Sequence, residues 1–198
     1  MAKTWKDADI SLDTIKDQTV AVIGYGIQGD AQANNMKDSG LKVIVGLREG
    51  SPTWNKAKED GHEVMSVADA TKQADIVHIL LPDMVQAKVY KEEIGPNLSE
   101  GNALSFSHAA AIYWKWIDAP ENVDLIMVAP KGPGSKVRET YQQNFGTPSI
   151  VAVEQDKTGN AWDRTLGIAK AIGSARAGLI QTTFKEEVET DWFGEQAD

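Results

Sequence analysis

The segment Gly24-Tyr25-Gly26-Ile27-Gln28-Gly29 carries three glycines at the spacing that lets a backbone wrap a pyrophosphate. Gly24 permits a tight turn, Gly26 lets the chain approach the phosphates, and Gly29 lets the following helix pack on the preceding strand. The helix N-terminus then offers N–H groups and the positive end of its dipole. Three such glycines also occur in a plain strand–turn–helix connection, so their value rests on context: an apolar strand before and a helix after. A second group is Gly46-Leu47-Arg48-Glu49-Gly50-Ser51-Pro52-Thr53. At the end of a second strand an acidic residue would hold the ribose hydroxyls of NAD, whereas an Arg accepts the 2′-phosphate of NADP. Arg48, with hydroxyl donors from Ser51 and Thr53, favours NADP. Glu49 dissents, because a carboxylate turned inward would repel a phosphate; a solvated loop position is its blander reading.

The elements around these residues supply the required context. Thr19 to Gly24 is a short, continuous apolar run, as expected of a strand buried on both faces. A helix is predicted from about Gln28 to Ser39, with Gly40 as its C-terminal cap. Further strands are predicted at 42–46, 75–81, 103–107, 124–129 and 149–153, and an extended stretch at 178–183. Helices are predicted at 52–60 (with Pro52 in the first turn), 84–93, 161–172 and from Lys185 onward. Such alternation predicts an α/β, Rossmann-type, doubly wound and mostly parallel sheet with helices on both faces. There is no internal repeat or low-complexity linker.

Composition narrows the function classes. The chain has 198 residues, 41% hydrophobic and 25% charged, which suits one domain with a short extension. It has no Cys, which excludes disulfides, thiolate metal sites and cysteine nucleophiles and fits a reducing, cytoplasmic compartment. A net charge of −9 argues against nucleic acid and against an anionic membrane surface. No apolar run reads as a signal peptide or a membrane span. Among the three histidines, His62 lies in a polar stretch and is expected exposed. His78, inside a strand, is expected as a hydrogen-bonded core residue. His108 follows a strand, and a lone His there is as often structural as catalytic.

Several segments are more specific than the glycine motif. They are Leu80-Leu81-Pro82-Asp83-Met84-Val85-Gln86, Ser107-His108, Met127 to Gly134, Ala152 to Asp156, and Glu189-Thr190-Asp191-Trp192-Phe193-Gly194-Glu195-Gln196. Together and in this order they closely resemble the N-terminal domain of the ketol-acid reductoisomerases. The resemblance covers essentially the whole chain. It implies an enzyme that uses Mg²⁺ and NADPH to isomerise a small acetohydroxy acid by alkyl migration and then reduce it, in branched-chain amino-acid biosynthesis. It implies that Tyr25 to Gln28 line the pyrophosphate and that Arg48, Ser51 and Thr53 hold the adenosine phosphate. Leu81, Pro82, Asp83, Met84, Val85, Gln86 and Gly134 would contact the cofactor further along. His108 and Lys131 would sit in the active site, and Asp191 and Glu195 would ligate magnesium. Four residues apart on a helix, these two carboxylates share a face, and their oxygens are the hard ligands Mg²⁺ prefers. The bland alternative is a solvated acidic helix, given Glu186, Glu187 and Glu189 nearby.

The pattern also departs from the family. The resemblance implies a knotted, helical C-terminal domain after the Gly-Glu-Gln run, which this chain is expected to lack. Residues 1–182 are expected to form the Rossmann domain and 183–198 to begin the helical region. Two carboxylates alone hold a two-metal site poorly, so the chain by itself is expected to bind NADP(H) without turnover, as a truncated or stand-alone domain. Ala109 stands where the family usually has a glycine after His108; an Ala at a position wanting φ > 0 would be strained, so the His108 loop is expected to differ in shape. Trp192 and Phe193 are expected to form an apolar patch that a helical domain covers or that drives self-association. The alternatives are a cofactor-binding module without turnover and another NADP-dependent hydroxyacid oxidoreductase.

Overall fold

The computed structural model describes residues 2–197, with side chains described over residues 2–193. Glu195 lies on the last helix, but its side chain falls outside the described residues. Among the described residues nine strands form one sheet: β1 (Thr4–Trp5), β2 (Thr19–Ile23), β3 (Lys42–Gly46), β4 (Glu63–Met65), β5 (Ile76–Ile79), β6 (Ala103–Phe106), β7 (Asp124–Pro130), β8 (Ser149–Gln155) and β9 (Leu179–Gln181). Their spatial order is β1-β9-β8-β7-β6-β5-β2-β3-β4. The six strands β4-β3-β2-β5-β6-β7 are all parallel. That is the doubly wound dinucleotide-binding order, and its direction of travel reverses between β2 and β5. β8 joins β7 antiparallel, β9 runs parallel to β8, and β1 closes the edge antiparallel to β9.

The apolar runs form strands because both faces are covered. Val20 and Val22 pack on one side with Met36, Ile126 and Ile168. Ala21 and Ile23 pack on the other with Val77, Leu104 and Phe106. The alternation follows from the two-residue period of a strand. The helices are α1 (Ile27–Asp38), α2 (Trp54–Glu59), α3 (Val67–Gln73), α4 (Asp83–Val89), α5 (Ala110–Tyr113), α6 (Gly134–Gln142), α7 (Ala161–Ala171), α8 (Ser174–Ala177) and α9 (Phe184–Ala197). β1, β4, α3, α5, α6 and α8 fall in stretches where the sequence pattern gave no assignment. α4 runs on through a π turn, Tyr90–Ile94.

Small residues on α1 bring three layers close. Asn35 is fully buried on it, donating to Val137 O at 3.2 Å and Ile172 O at 3.0 Å and accepting from Arg138 at 2.8 Å. One amide thus ties α1 to α6 and the end of α7. α9 is anchored on the sheet through Phe184 and Val188, both buried beside Ala109, Met127 and Ala152.

Two expectations are corrected. His62 is buried, with 6% of its surface exposed. Gly61, at φ +79°, turns the chain back after α2, and His62 N–H bonds the Ala57 carbonyl. The ring then lies edge-on to Tyr25, with Nε2 3.1 Å from Asn34 Oδ1. A polar flanking sequence therefore misreports a residue that a turn folds inward. Ala109 has φ −90°, an ordinary value, so the loss of glycine after His108 costs no backbone strain.

Candidate cofactor cleft and acidic cluster

The parallel strands all point their carboxyl ends at one edge of the sheet. The chain leaves β2 through Gly24, β3 through Leu47 and Arg48, β5 through Leu80 to Pro82, β6 through Ser107 and His108, and β7 through Pro130 and Lys131. Open α/β sheets hold ligands at this edge, where the strand order reverses.

The glycine loop is shaped for close approach. Gly24 has φ +98°, which L side chains rarely adopt, and a Cβ there would stand 2.9 Å from Leu80 O. A Cβ on Gly29 would stand 2.2 Å from Gly24 O, so only glycine lets α1 sit this near β2. A Cβ on Gly26 would meet nothing within 4 Å, so that side of the loop is open to the cleft. α1 begins at Gly26 with no side-chain cap, which leaves its first N–H groups for an anion. Gly134 serves differently: its missing Cβ makes room for Ile27 O, 2.3 Å from where that atom would stand. It therefore docks α6 against the start of α1.

A cleft of about 710 Å³ runs from this loop over the ends of β2 and β3. Gly24, Gly26, Ile27 and Gln28 line it, with Arg48, Ser51 and Thr53, and with Leu81, Pro82 and Val85 across from the loop's own strand. Tyr25 also borders it, but its side chain is 2% exposed and its hydroxyl donates to Asp60 at 2.8 Å beneath the loop. Burial and that carboxylate push the phenol well above its ordinary range. Arg48 and Glu49 are both exposed, and only Arg48 lines the cleft. Met84 is 94% exposed and lines neither this cleft nor the next.

A smaller recess of about 200 Å³ adjoins it, lined by Gln28, Asp83, Gln86, Ser107, His108 and Pro130, among others. Gln28 donates to Gly132 O at 3.0 Å. Gln32 donates to both Gln28 Oε1 and Ser107 Oγ at 3.1 Å. With its nitrogen so used, Gln32 Oε1 faces His78 Nε2 at 2.8 Å as an acceptor, while Ser105 Oγ lies 2.8 Å from Nδ1. Buried completely, His78 is pushed down to about 4 and stays neutral. A core imidazole thus sets, through one amide, the side chains at the mouth of the recess.

Beyond the recess lies an acidic cluster. Glu187, only 1% exposed, accepts from Ala109 N–H and from His108 Nδ1, each at 3.0 Å. Asp191, one turn on, lies 3.7 Å from His108 Nδ1 and 3.5 Å from Lys131 Nζ. Lys131 is also 3.8 Å from Glu187, and Asp83 is 3.9 Å from His108 Nε2. The hydrogen bond to Glu187 raises the His108 imidazole above its ordinary range, against the opposing effect of burial. His108, Glu187 and Asp191 each offer one ligand atom, all within 4.8 Å of one another.

Over residues 14–178 the chain matches the family described as acetohydroxy acid isomeroreductase, NADPH-binding domain. The chain belongs to this family. It is 84% identical over its whole length to the NADP⁺ ketol-acid reductoisomerase of Nitrosopumilus maritimus (strain SCM1), of which it covers 60%. It is 59% identical to that of Methanopyrus kandleri, covering all of this chain and 61% of the relative. A solved NADH-preferring ketol-acid reductoisomerase from an uncultured archean superposes with a TM-score of 0.95 at 47% identity, over 98% of this chain and 60% of that one. The chain thus spans about 60% of the length of these relatives.

The residues present fit the cofactor of an acetohydroxy acid isomeroreductase NADPH-binding domain. Ser51 Oγ is buried with no hydrogen-bond partner among the described residues, beside Arg48 in the cleft. Gln86, 4% exposed, likewise keeps Oε1 unpartnered at the recess. Buried polar atoms of this kind are costly unless a ligand or water completes them. For a metal the donor set is mixed: two carboxylates and an imidazole, with Lys131 close to both carboxylates. Mg²⁺ takes oxygens, and among the described residues of this cluster Asp191 and Glu187 supply them, the Glu187 oxygens also accepting hydrogen bonds from His108 and Ala109. Sequence reading passed over Glu187 as one of a solvated acidic run. Its signal was position: 187, 191 and 195 share a helix face, next to the apolar Phe184 and Val188.

Proposed function

We propose that this chain is the cofactor-binding part of an NADP-dependent ketol-acid reductoisomerase, acting on small acetohydroxy acids in the cytoplasm. The observation that carries the reading is the meeting, at one sheet edge, of the glycine-loop cleft with the His108–Glu187–Asp191–Lys131 cluster. NADPH would supply a hydride and Mg²⁺ the Lewis acidity for alkyl migration and reduction. The chain's residues do the rest. Gly26 and the first turn of α1 bind the pyrophosphate, and Arg48, Ser51 and Thr53 bind the 2′-phosphate. Gln28, Asp83, Gln86 and Ser107 orient the nicotinamide end. Asp191, with Glu195, holds the metal. Glu187 fixes the His108 ring, which keeps a proton at hand beside the reacting centre, and Lys131 orients the substrate's oxygens.

Further metal ligands and the substrate pocket would come from the additional length that the relatives carry. We assign to that segment the covering of Trp114, Trp192 and Phe193. The chain alone is therefore expected to bind NADPH without reducing 2-acetolactate. Fused to the remaining segment of the Nitrosopumilus maritimus relative, it should oxidise NADPH with 2-acetolactate only when Mg²⁺ is present, and Asp191→Ala should abolish that rate. Binding by the chain without turnover by the fusion would favour a pure cofactor-binding module. No binding by the chain would overturn the reading altogether.

A further inference from the structure

Ser51 and Thr53 are carried by a helix with little apolar hold on the core. Ser51 O accepts from Trp54 N–H and Thr53 O from Ala57 N–H, so their segment is the lead-in turn of α2. α2 is six residues long and buries only Ala57. A helix this short depends on tertiary contacts, and here most of those contacts are polar.

They form one network beneath the glycine loop. Tyr25 Oη donates to Asp60 Oδ2 at 2.8 Å and accepts from Asn34 Nδ2 at 2.9 Å. Asn34 Nδ2 also donates to Asp30 Oδ1 at 2.8 Å and to Asp30 O at 3.0 Å. With its nitrogen so used, Asn34 Oδ1 accepts from His62 Nε2 at 3.1 Å. Lys56, on α2, pairs with Asp30 on α1 and lies 3.3 Å from Asp60; its ammonium stands 5.2 Å from the centre of the Tyr25 ring. Lys37, on α1, donates to Asp60 O at 2.6 Å. Asp60 itself is the C-cap of α2. Of these residues only Tyr25 belongs to the glycine loop. Its hydroxyl therefore joins the loop that faces the pyrophosphate to the helix that carries Ser51 and Thr53. Tyr25 is 2% exposed, so water competes little for these bonds.

NADPH engages two phosphate sites at once, whereas NADH engages one. A spacing between the sites that is set in advance lowers the cost of engaging both. We propose that Tyr25, through Asp60 and α2, is a positioning residue that fixes the spacing of the pyrophosphate and 2′-phosphate sites and thereby strengthens the preference for NADPH. This rests on the NADPH reading given above. It adds a determinant of cofactor choice that acts from beneath the loop rather than on a phosphate.

The test is calorimetric titration of the chain with NADPH and with NADH, alongside circular dichroism and thermal melts. In Tyr25→Phe, which keeps the ring and loses the hydroxyl, NADPH should weaken more than NADH, and the ratio of their affinities should fall about fivefold. Asp60→Ala removes the acceptor from the more exposed end of the same bond and should lower the ratio likewise. Asp60→Asn, which keeps an acceptor oxygen for the hydroxyl, should retain most of it. A merely structural role would weaken both cofactors by one factor. An unchanged ratio in Tyr25→Phe, or in Asp60→Ala should Tyr25→Phe not fold, would overturn this inference alone. Wild type binding NADPH no more tightly than NADH would overturn the 2′-phosphate site as well, and failure to bind either would overturn the cofactor reading.

Discussion

Gly29 leaves no room for a methyl group, because the atom it would face is the Gly24 carbonyl oxygen, a backbone atom that cannot rotate away. In Gly29→Ala, α1 must shift off β2, which displaces the helix N-terminus from the cleft. We expect a loss of about 1–3 kcal/mol in stability and at least about tenfold weaker NADPH binding. Titration and thermal melts measure both; unchanged NADPH affinity would detach the loop from the cofactor. His78 makes a pH prediction. Its folded value is about 4, against an ordinary 6.5. Between those values the unfolded chain binds a proton that the folded chain refuses, so stability falls as pH drops through this window. The span corresponds to about 3 kcal/mol. His78→Gln, which cannot titrate, should show a shallower loss of melting temperature from pH 6.5 to 4. An identical slope would assign the acid sensitivity to other groups.

At the scale of elements, the six parallel strands must be held in register for their carboxyl ends to converge. The start of β7 is fixed by Asp124, fully buried, which accepts from Lys157 N–H, Thr158 N–H, the Thr158 hydroxyl and Arg164. The Arg164–Asp124 pair, at 2.7 Å, ties α7 to the sheet, and Arg164 also donates to Gly101 O at 2.8 Å. Removing one partner of a buried pair leaves an uncompensated charge and costs about 3–5 kcal/mol. Arg164→Ala should fall near the lower end, since three other donors still reach the carboxylate. Denaturant unfolding measures it, and a loss below about 1 kcal/mol would mean that the loop donors suffice. The same scale explains α9. It is docked by Phe184 and Val188, and this docking carries Glu187 from the far end of the sequence to His108.

For the whole molecule, the unusual surface is on the same helix. Trp114 and Trp192 have ring centroids 5.4 Å apart and are each 43% exposed, and Phe193 is 76% exposed. Contiguous exposed aromatics of this size mark an interaction surface. At rising concentration the chain should self-associate through this face, and Trp192→Ala should sediment closer to a monomer. If both sediment alike as monomers, the face does not mediate association. No helix among the described residues is long and apolar enough to cross a membrane.

The longer strands, the glycine loop and the cofactor family were legible in the chain itself, because each is a local pattern, whereas β1 and β4, of two and three residues, were not. A doubly buried strand needs a continuous apolar run, a phosphate turn needs glycines at set positions, and the Arg48–Thr53 segment follows at the spacing of a second strand. His78 could likewise be placed in the core from its strand. The rest depended on contacts between distant segments. His62 looked exposed until a turn at Gly61 folded it under Tyr25. Glu187 looked solvated until α9 docked it behind His108, 79 residues earlier. Burial and charge pairing are properties of neighbours in space, and only the tertiary structure determined who those neighbours are.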